Sequence, residues 1–380
     1  MTSYNVGILG FGFIGKVHAY GYRTLPFFYD PVPLQARITH VCTSRPETAE
    51  KARHQIGADA AVSDYRQITE NPEIDIVHIC TPNHLHKEAL LSAIRHQKHI
   101  YCDKPLVATL DEAEQIERAL IGYRGTAQMT LQNRFFPAVM RAKQLVDEGW
   151  LGQVLQYRLC YLQSSSASPL APARWKLLAE AGGGVIADLG PHVFDLIQCL
   201  LGDFDQVMAD SQIAYPQRPA RDDPGRMVPV DAEDSVLVLG RLNSGVLGSI
   251  EATKIATGME DDLRLEIHGS EGALRFHGRH ADQLDVFDAR AEDQPIGGRR
   301  GWTSIATGQR YPEPATGFPS PKASIGWVRS HVACLEQFLR SVAAGEPGNP
   351  GLDQGIYLQR VMAAVGRSIR QRQWVSVGRG

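Results

Sequence analysis

The run Gly10-Phe11-Gly12-Phe13-Ile14-Gly15 follows the apolar stretch Val6–Leu9 and opens a helical pattern; no other feature restricts the fold of this chain as much. Gly10 allows a tight strand-to-helix turn. Gly12 carries no side chain to hold a pyrophosphate away from the backbone, and Gly15 lets helix and strand pack closely. The helix N-terminus adds unpaired N–H groups and a partial positive charge. With Phe13 and Ile14 between the glycines, this spacing predicts a dinucleotide site at the head of a βαβ unit.

The rest of the first third of the chain has the matching pattern. Ile38–Cys42, Ile76–Cys80 and His99–Cys102 are short runs rich in β-branched residues, separated by stretches of helical period at Pro46–Ile56, Lys87–Arg95 and Leu110–Leu120. Strands alternating with helices predict a doubly wound parallel sheet, a Rossmann-type α/β domain. Past Gly125–Leu131 the pattern changes. A helical stretch, Ala138–Glu148, leads into alternating strands at Val154–Leu162, Ser235–Leu242, Val246–Ala252, Leu263–Gly269 and Ala273–Gly278. Turn sequences Asn243-Ser-Gly245 and Gly269-Ser-Glu-Gly272 join neighbours among them, which predicts a largely antiparallel sheet. The expected domains are therefore 1–130, binding NAD(P), and 131–380, binding substrate. Apolar helices near Val328–Ala344 and Gly355–Arg370 are expected to pack on one or both. Ala214–Pro229 and Gln294–Ser324 are long enough to cover a site, build an interface or form a surface excursion.

Charge and cysteine usage narrow the class. With 39 Lys+Arg against 42 Asp+Glu the net charge is −3, and no long basic block points to nucleic acid or an anionic membrane. No apolar run reaches the roughly 18–20 residues of a membrane span. The start, Met1-Thr-Ser-Tyr-Asn, enters a strand with no leader pattern. Six scattered cysteines form no C-x-x-C pair, so free thiols in a reducing, cytoplasmic setting are expected.

Three strand ends carry the candidate cofactor contacts. After the second strand stand Thr43-Ser44-Arg45, with no carboxylate before Glu47. An acidic residue there suits the ribose hydroxyls of NAD, whereas Ser44 and Arg45 suit the added phosphate of NADP. NADP is therefore favoured over NAD, the alternative being an Arg45 that lies over adenine or points to water. Thr81-Pro82-Asn83 closes the strand ending at Cys80, so Thr81 and Asn83 are placed to touch ribose or nicotinamide; Asn83 also suits a helix cap. His84 and His86 lack a third ligand, so no metal is expected.

The catalytic candidates lie at two further places. Cys102-Asp103-Lys104-Pro105 ends the next strand, where proline fixes the exit and directs Lys104 toward the crevice. A lysine there stabilises an alkoxide as hydroxyl becomes carbonyl. Farther on, Gly182–Gly184 precedes Asp188 and His192, spaced i,i+4 on a predicted helix. A carboxylate beside an imidazole orients it for proton transfer; the same pair also reads as a satisfied polar contact at a helix start. Asp195 reads as a supporting hydrogen-bond partner. Arg174-Trp175-Lys176 suits either the wall of a polyol cleft or a surface with one core tryptophan.

Taken together, Gly10–Gly15, Thr81-Pro-Asn-x-x-His86, Asp103-Lys-Pro105 and Gly182–His192 resemble, in order and approximate spacing, the glucose–fructose oxidoreductase/inositol dehydrogenase (Gfo/Idh/MocA) family along almost the whole chain. The resemblance implies a Rossmann domain followed by an α/β domain with a large, mainly antiparallel open sheet, through which members associate as homodimers or homotetramers. It implies NAD(P)-dependent hydride transfer at a ring hydroxyl or ketone of a sugar, glycoside, inositol or related polyol. Carried over, the family's lysine is Lys104 and its Asp and His are Asp188 and His192. His192 then takes the hydroxyl proton as hydride leaves, Lys104 supports the oxygen, and Asp188 orients. Gly10, Gly12, Phe13, Ile14, Gly15, Ser44, Arg45, Thr81, Asn83, His86, Asp103 and Lys104 line the expected cofactor site. Lys104, Trp175, Lys176, Asp188 and His192 line that of the substrate. Asp103 replaces the family's usual glutamate, one methylene longer. Relatives of the family include NAD-dependent glycosidases and non-catalytic NAD(P) sensors; the Lys104–Asp188–His192 set favours the dehydrogenase.

Overall fold

In the computed structural model, which describes residues 3–378, the chain divides into two compact units. The leading Met1-Thr2 lies outside the described residues. The first unit comprises residues up to 132 together with 312–319 and 327–359; the second comprises 133–311, 320–326 and the chain from 360.

The first unit alternates strand and helix: β1 (Tyr4–Leu9), α1 (Phe13–Phe28), β2 (Ala36–Cys42), α2 (Pro46–Ile56), β3 (Ala60–Val62), α3 (Arg66–Thr69), β4 (Ile76–Ile79), α4 (His86–Arg95), β5 (His99–Asp103), α5 (Leu110–Ala119) and β6 (Ala127–Thr130). All pairings are parallel, in the order β3-β2-β1-β4-β5-β6. The order reverses between β1 and β4, the switch point at which such sheets open a crevice. Buried on both faces, the strands are nearly continuous apolar runs; all four residues of β4 are buried. α1 continues through Pro26 to Phe28, and the connection to β2 begins at Tyr29. Its Gly21 faces α9 (Trp327–Ala344), where a Cβ would come within 2.8 Å of Leu335 Cδ2. That close approach seats Phe338 of α9 against the ring of Tyr101. Residues 312–319 join the same unit, with Asp30 N–H donating to Pro314 O at 3.1 Å and Thr316 N–H to Phe28 O at 2.9 Å.

The second unit contains α6 (Pro137–Asp147), β7 (Val154–Leu162), α7 (Val185–Asp188), α8 (Gly190–Leu201), β8 (Phe204–Gln212), β9 (Gln217–Pro219), β10 (Met227–Pro229), β11 (Ser235–Leu242), β12 (Leu247–Thr253), β13 (Asp262–Gly269), β14 (Gly272–His277), β15 (Gln283–Asp288) and β16 (Trp302–Ala306). α10 (Leu352–Gln371) begins in the first unit, and its last turns, with β17 (Val375–Ser376), belong to the second. Nine strands form one sheet, β16-β15-β14-β13-β7-β12-β11-β8-β17; only β7 with β12 is parallel. β7 alternates, burying Tyr157, Leu159 and Tyr161 beneath the helices while Arg158 stays exposed. The cross-strand pair Gly240 and Gly248 clears room for Tyr157, whose hydroxyl donates to Gly240 O at 2.8 Å. A Cβ on Gly248 would meet that ring at 2.4 Å. The Asn243-Ser-Gly245 turn closes the β11–β12 hairpin with Gly245 at φ 88°, where an L side chain is strained.

The two unassigned stretches hold structure. Ala214–Pro229 contains the ribbon β9–β10, pinned by the fully buried Arg218, which donates to Ser166 O and Ser168 O at 2.7 Å. Gln294–Ser324 contributes the edge strand β16. All six cysteines are free thiols, and no single helix among the described residues is long and apolar enough to cross a membrane.

Candidate active site

At the mouth of the first sheet the three glycines differ in what surrounds them. Gly10 has φ 87°, and a Cβ on it would lie 2.6 Å from Cys80 O, so β1 and the end of β4 meet there without room for a side chain. Gly15 is tighter still, its Cβ falling 2.2 Å from Gly10 O. A Cβ on Gly12 would meet nothing within 4 Å. Two glycines therefore close the turn, while the third opens onto empty space before the N-terminus of α1. Thr81 Oγ1, at the β4 end of the same opening, is buried with no hydrogen-bond partner among the described residues. An open glycine, a helix N-terminus and an unused buried hydroxyl fit a dinucleotide.

Around this mouth the expected residues take distinct positions. Ser44 and Arg45 are exposed just past β2, and Arg45 caps α2 through its backbone; no described side chain engages its guanidinium. Asn83 is buried at the start of a 3₁₀ turn leading into α4. His86 is fully buried: Nε2 lies 2.8 Å from Thr81 O, and Nδ1 lies 3.0 and 3.1 Å from Pro105 O and Leu106 O. It ties the β4 and β5 exits together, which gives it a place behind the opening. His84 is exposed and apart from it. Among the described residues, no group of three or more His, Cys, Asp or Glu is arranged to hold a metal ion. Asp103 ends β5, and Lys104, half-buried, comes immediately after it. Phe13 is 69 % exposed and stacks on Trp327 at 5.4 Å between ring centroids.

The remaining candidates gather at one end of the second sheet. The helix expected to carry Asp188 and His192 is interrupted: α7 ends at Asp188, α8 starts at Gly190, and the chain bends there by 46°. Gly184, at φ 103°, begins this segment packed on Glu233; a Cβ would lie 2.3 Å from Oε1. Glu233 Oε1 accepts from Ile186 N–H at 2.9 Å, and burial pushes its carboxyl above the usual range. Asp188 takes two lysines: Lys176 Nζ donates to Oδ1 at 2.9 Å, and Lys254 Nζ lies 3.3 Å from Oδ2. The Lys254 side chain is only 4 % exposed, so its charge is spent almost wholly inside the protein. His192 is buried in the first turn of α8, with the ring of Tyr161 edge-on at 5.9 Å. Trp175 is half-buried under the Lys176 ammonium. Asp195, one turn past His192, is buried and clamped by the guanidinium of Arg134, whose Nε donates to Oδ2 at 2.7 Å.

Sequence reasoning passed over Lys254, Tyr161 and Asp261. Lys254 stands directly after β12 as Lys104 stands directly after β5, so the same criterion would have found it. Tyr161 is one of several alternating residues in β7, and nothing in its spacing marks it.

Known proteins show the same organisation. Residues 4–129 match the model of an oxidoreductase family with an NAD-binding Rossmann fold, and residues 139–275 match that of the GFO/IDH/MocA C-terminal domain. A levoglucosan dehydrogenase from Pseudarthrobacter phenanthrenivorans is 33% identical, across 99% of each chain. An inositol 2-dehydrogenase from Rhizobium meliloti is 25% identical across 98% of each. Levoglucosan dehydrogenase solved with NADH and levoglucosan superposes over 100% of both chains with a TM-score of 0.93 at 32% identity. An NAD-binding oxidoreductase from Klebsiella pneumoniae gives 0.92 at 29%, also over 100% of both chains.

Proposed function

Because this chain belongs to the Gfo/Idh/MocA family and is an NAD(P)-dependent sugar or polyol dehydrogenase acting on a CH–OH group, we propose that His192 moves the proton, Asp188 orients it and Lys104 supports the reacting oxygen. The observation that carries this reading is the double lysine clamp on Asp188, at the end of the helix that precedes the one whose first turn buries His192. Held by Lys176 and Lys254, the carboxylate is fixed in direction. An imidazole is the side chain whose ordinary range suits taking a hydroxyl proton near neutral pH, and His192 is buried here edge-on to Tyr161. The Lys104 ammonium, at the exit of β5, stabilises negative charge developing on the substrate oxygen. When bound, the nicotinamide supplies the hydride acceptor, and ketone reduction uses the same residues in reverse.

Gly10, Gly12, Gly15, Thr81 and Asn83 form the dinucleotide seat in this reading. Exposed Ser44 and Arg45, with no carboxylate at the β2 exit, favour NADPH over NADH. Substrates are neutral sugars or polyols, and levoglucosan heads the screen because a relative of full length is named for it. The outer face of the nine-stranded sheet exposes Met208, Leu237 and Leu239 around a depression of about 630 Å³ flanked by Arg158, Arg264, Glu251 and Glu266. Mixed charge around an apolar centre suits a second copy of the same face, so the reading includes a homo-oligomer built on it. Six thiols and no disulfide suit a reducing, cytoplasmic compartment.

Fluorescence titration with NADH and NADPH tests the seat, and tighter NADPH binding is expected. Tighter NADH binding refutes the role given to Ser44 and Arg45. His192→Asn and Lys104→Met should each lose at least a hundredfold in turnover of the best sugar while keeping the dinucleotide Kd within about threefold. Near wild-type turnover in either variant removes that residue from the mechanism.

A further inference from the structure

Asp261 stands in the turn before β13 at φ 52°, a left-handed conformation that asparagine, aspartate and glycine tolerate and other residues enter at a cost. Strained backbone of this kind persists where its surroundings enforce it, often beside a ligand site. Here the surroundings are two donors on one oxygen: Tyr161 Oη donates to Asp261 Oδ1 at 2.6 Å, and Gln163 Nε2 donates to the same atom at 2.8 Å. Oδ2 has no hydrogen bond among the described residues, and the residue is exposed. The phenol that orients this carboxylate is the one whose ring lies edge-on to His192 at 5.9 Å. One buried tyrosine therefore connects the proposed proton acceptor to an outward carboxylate edge, held rigid from behind and open in front.

We propose that Asp261 is a specificity residue that accepts a hydrogen bond, through Oδ2, from a substrate hydroxyl distant from the reacting one. This rests on the reading of the second unit as the sugar site and adds the kind of group the substrate must present. A carboxylate fixed by two donors and open on one side selects an O–H and repels an anion. The substrate is then a neutral polyol or sugar with a free hydroxyl at that position, and analogues bearing carboxylate or phosphate there are rejected.

Asp261→Asn and Asp261→Gly test this without disturbing the backbone, since both residues accept the left-handed conformation. Wild-type turnover of neutral sugars comes first; without it the assigned reaction fails, and this inference with it. Given turnover, both variants should raise KM for the best sugar roughly 10- to 100-fold, with kcat within about threefold and the NAD(P)H Kd unchanged. A monodeoxy series of that sugar locates the contact. At one position, removing the hydroxyl should raise the wild-type KM by a similar factor and leave the Asp261→Gly KM unaltered. Asp261→Asn should also narrow the preference for neutral over anionic analogues. Losses that multiply independently at every deoxy position, or a fall in kcat at constant KM, show a purely structural Asp261 and overturn the proposal.

Discussion

Two of the motif glycines, Gly12 and Gly15, make separable predictions, because a methyl group meets different surroundings at each. Gly15→Ala places a Cβ 2.2 Å from Gly10 O, more than 1 Å inside ordinary contact; the oxygen belongs to the backbone and the backbone fixes the Cβ, so no rotamer relieves the clash. Overpacking of this kind costs about 1–3 kcal/mol, against a helix-propensity gain of about 0.5–1 kcal/mol. A net loss of about 1.3 kcal/mol, the difference of the mid-values, corresponds to about 3–5 °C in Tm at roughly 2–4 °C per kcal/mol. Gly12→Ala meets nothing within 4 Å and has φ −76°, so its Tm should stay within about 2 °C of wild type. Its methyl instead occupies the space assigned to the pyrophosphate, and the dinucleotide Kd should rise at least tenfold, about 1.4 kcal/mol. Differential scanning fluorimetry reads the first quantity and nicotinamide fluorescence titration the second. Undiminished affinity in Gly12→Ala, or a larger Tm loss there than in Gly15→Ala, would refute the assignment of roles.

Further predictions concern buried charge. Asp195→Ala leaves the Arg134 guanidinium without its main anion and should cost about 3–5 kcal/mol in chemical denaturation, whereas the double change Arg134→Met with Asp195→Leu should recover most of that. Stability should fall on acidification. Burial lowers His18 to about 3 and His78 well below its ordinary value, so the folded state keeps both neutral while the unfolded chain takes up protons below about pH 6.5. His18 alone then removes about 2 kcal/mol between pH 7 and pH 5, and a His18→Gln variant should show a shallower slope of Tm against pH; an unchanged slope rejects the assignment. Lys254→Met leaves Asp188 with Lys176 as its cationic clamp and should reduce kcat about tenfold at nearly constant KM, with partial recovery in Lys254→Arg; an unaltered kcat separates the clamp from the chemistry.

Much of this was legible along the chain, for local reasons. Strand and helix periods, the two turn sequences and the glycine spacing are properties of neighbouring residues, so α2, β7 and β11 fall where their patterns put them. The order Gly10–Gly15, Thr81–Asn83, Asp103–Pro105 and Asp188–His192 is likewise written in sequence, and with it the family and the class of reaction. What depends on partners far away in the chain was decided only by folding. β3 is three small residues, visible as a strand only because β2 pairs with it, and β8 carries Asp205, Asp210 and Gln212 on faces that its neighbours leave open. The single helix read across Asp188 and His192 became two, since packing on Glu233 starts one and Gly190-Pro191 starts the next. His86, a polar residue in a motif, was pulled inside by three carbonyls that no local pattern announces. Lys254 and Asp261 gain meaning only from Asp188 and Tyr161, which lie 66 and 100 residues earlier. Local free energy selects elements from their own residues; a buried charge or an oriented carboxylate exists only where the tertiary structure brings its counterpart.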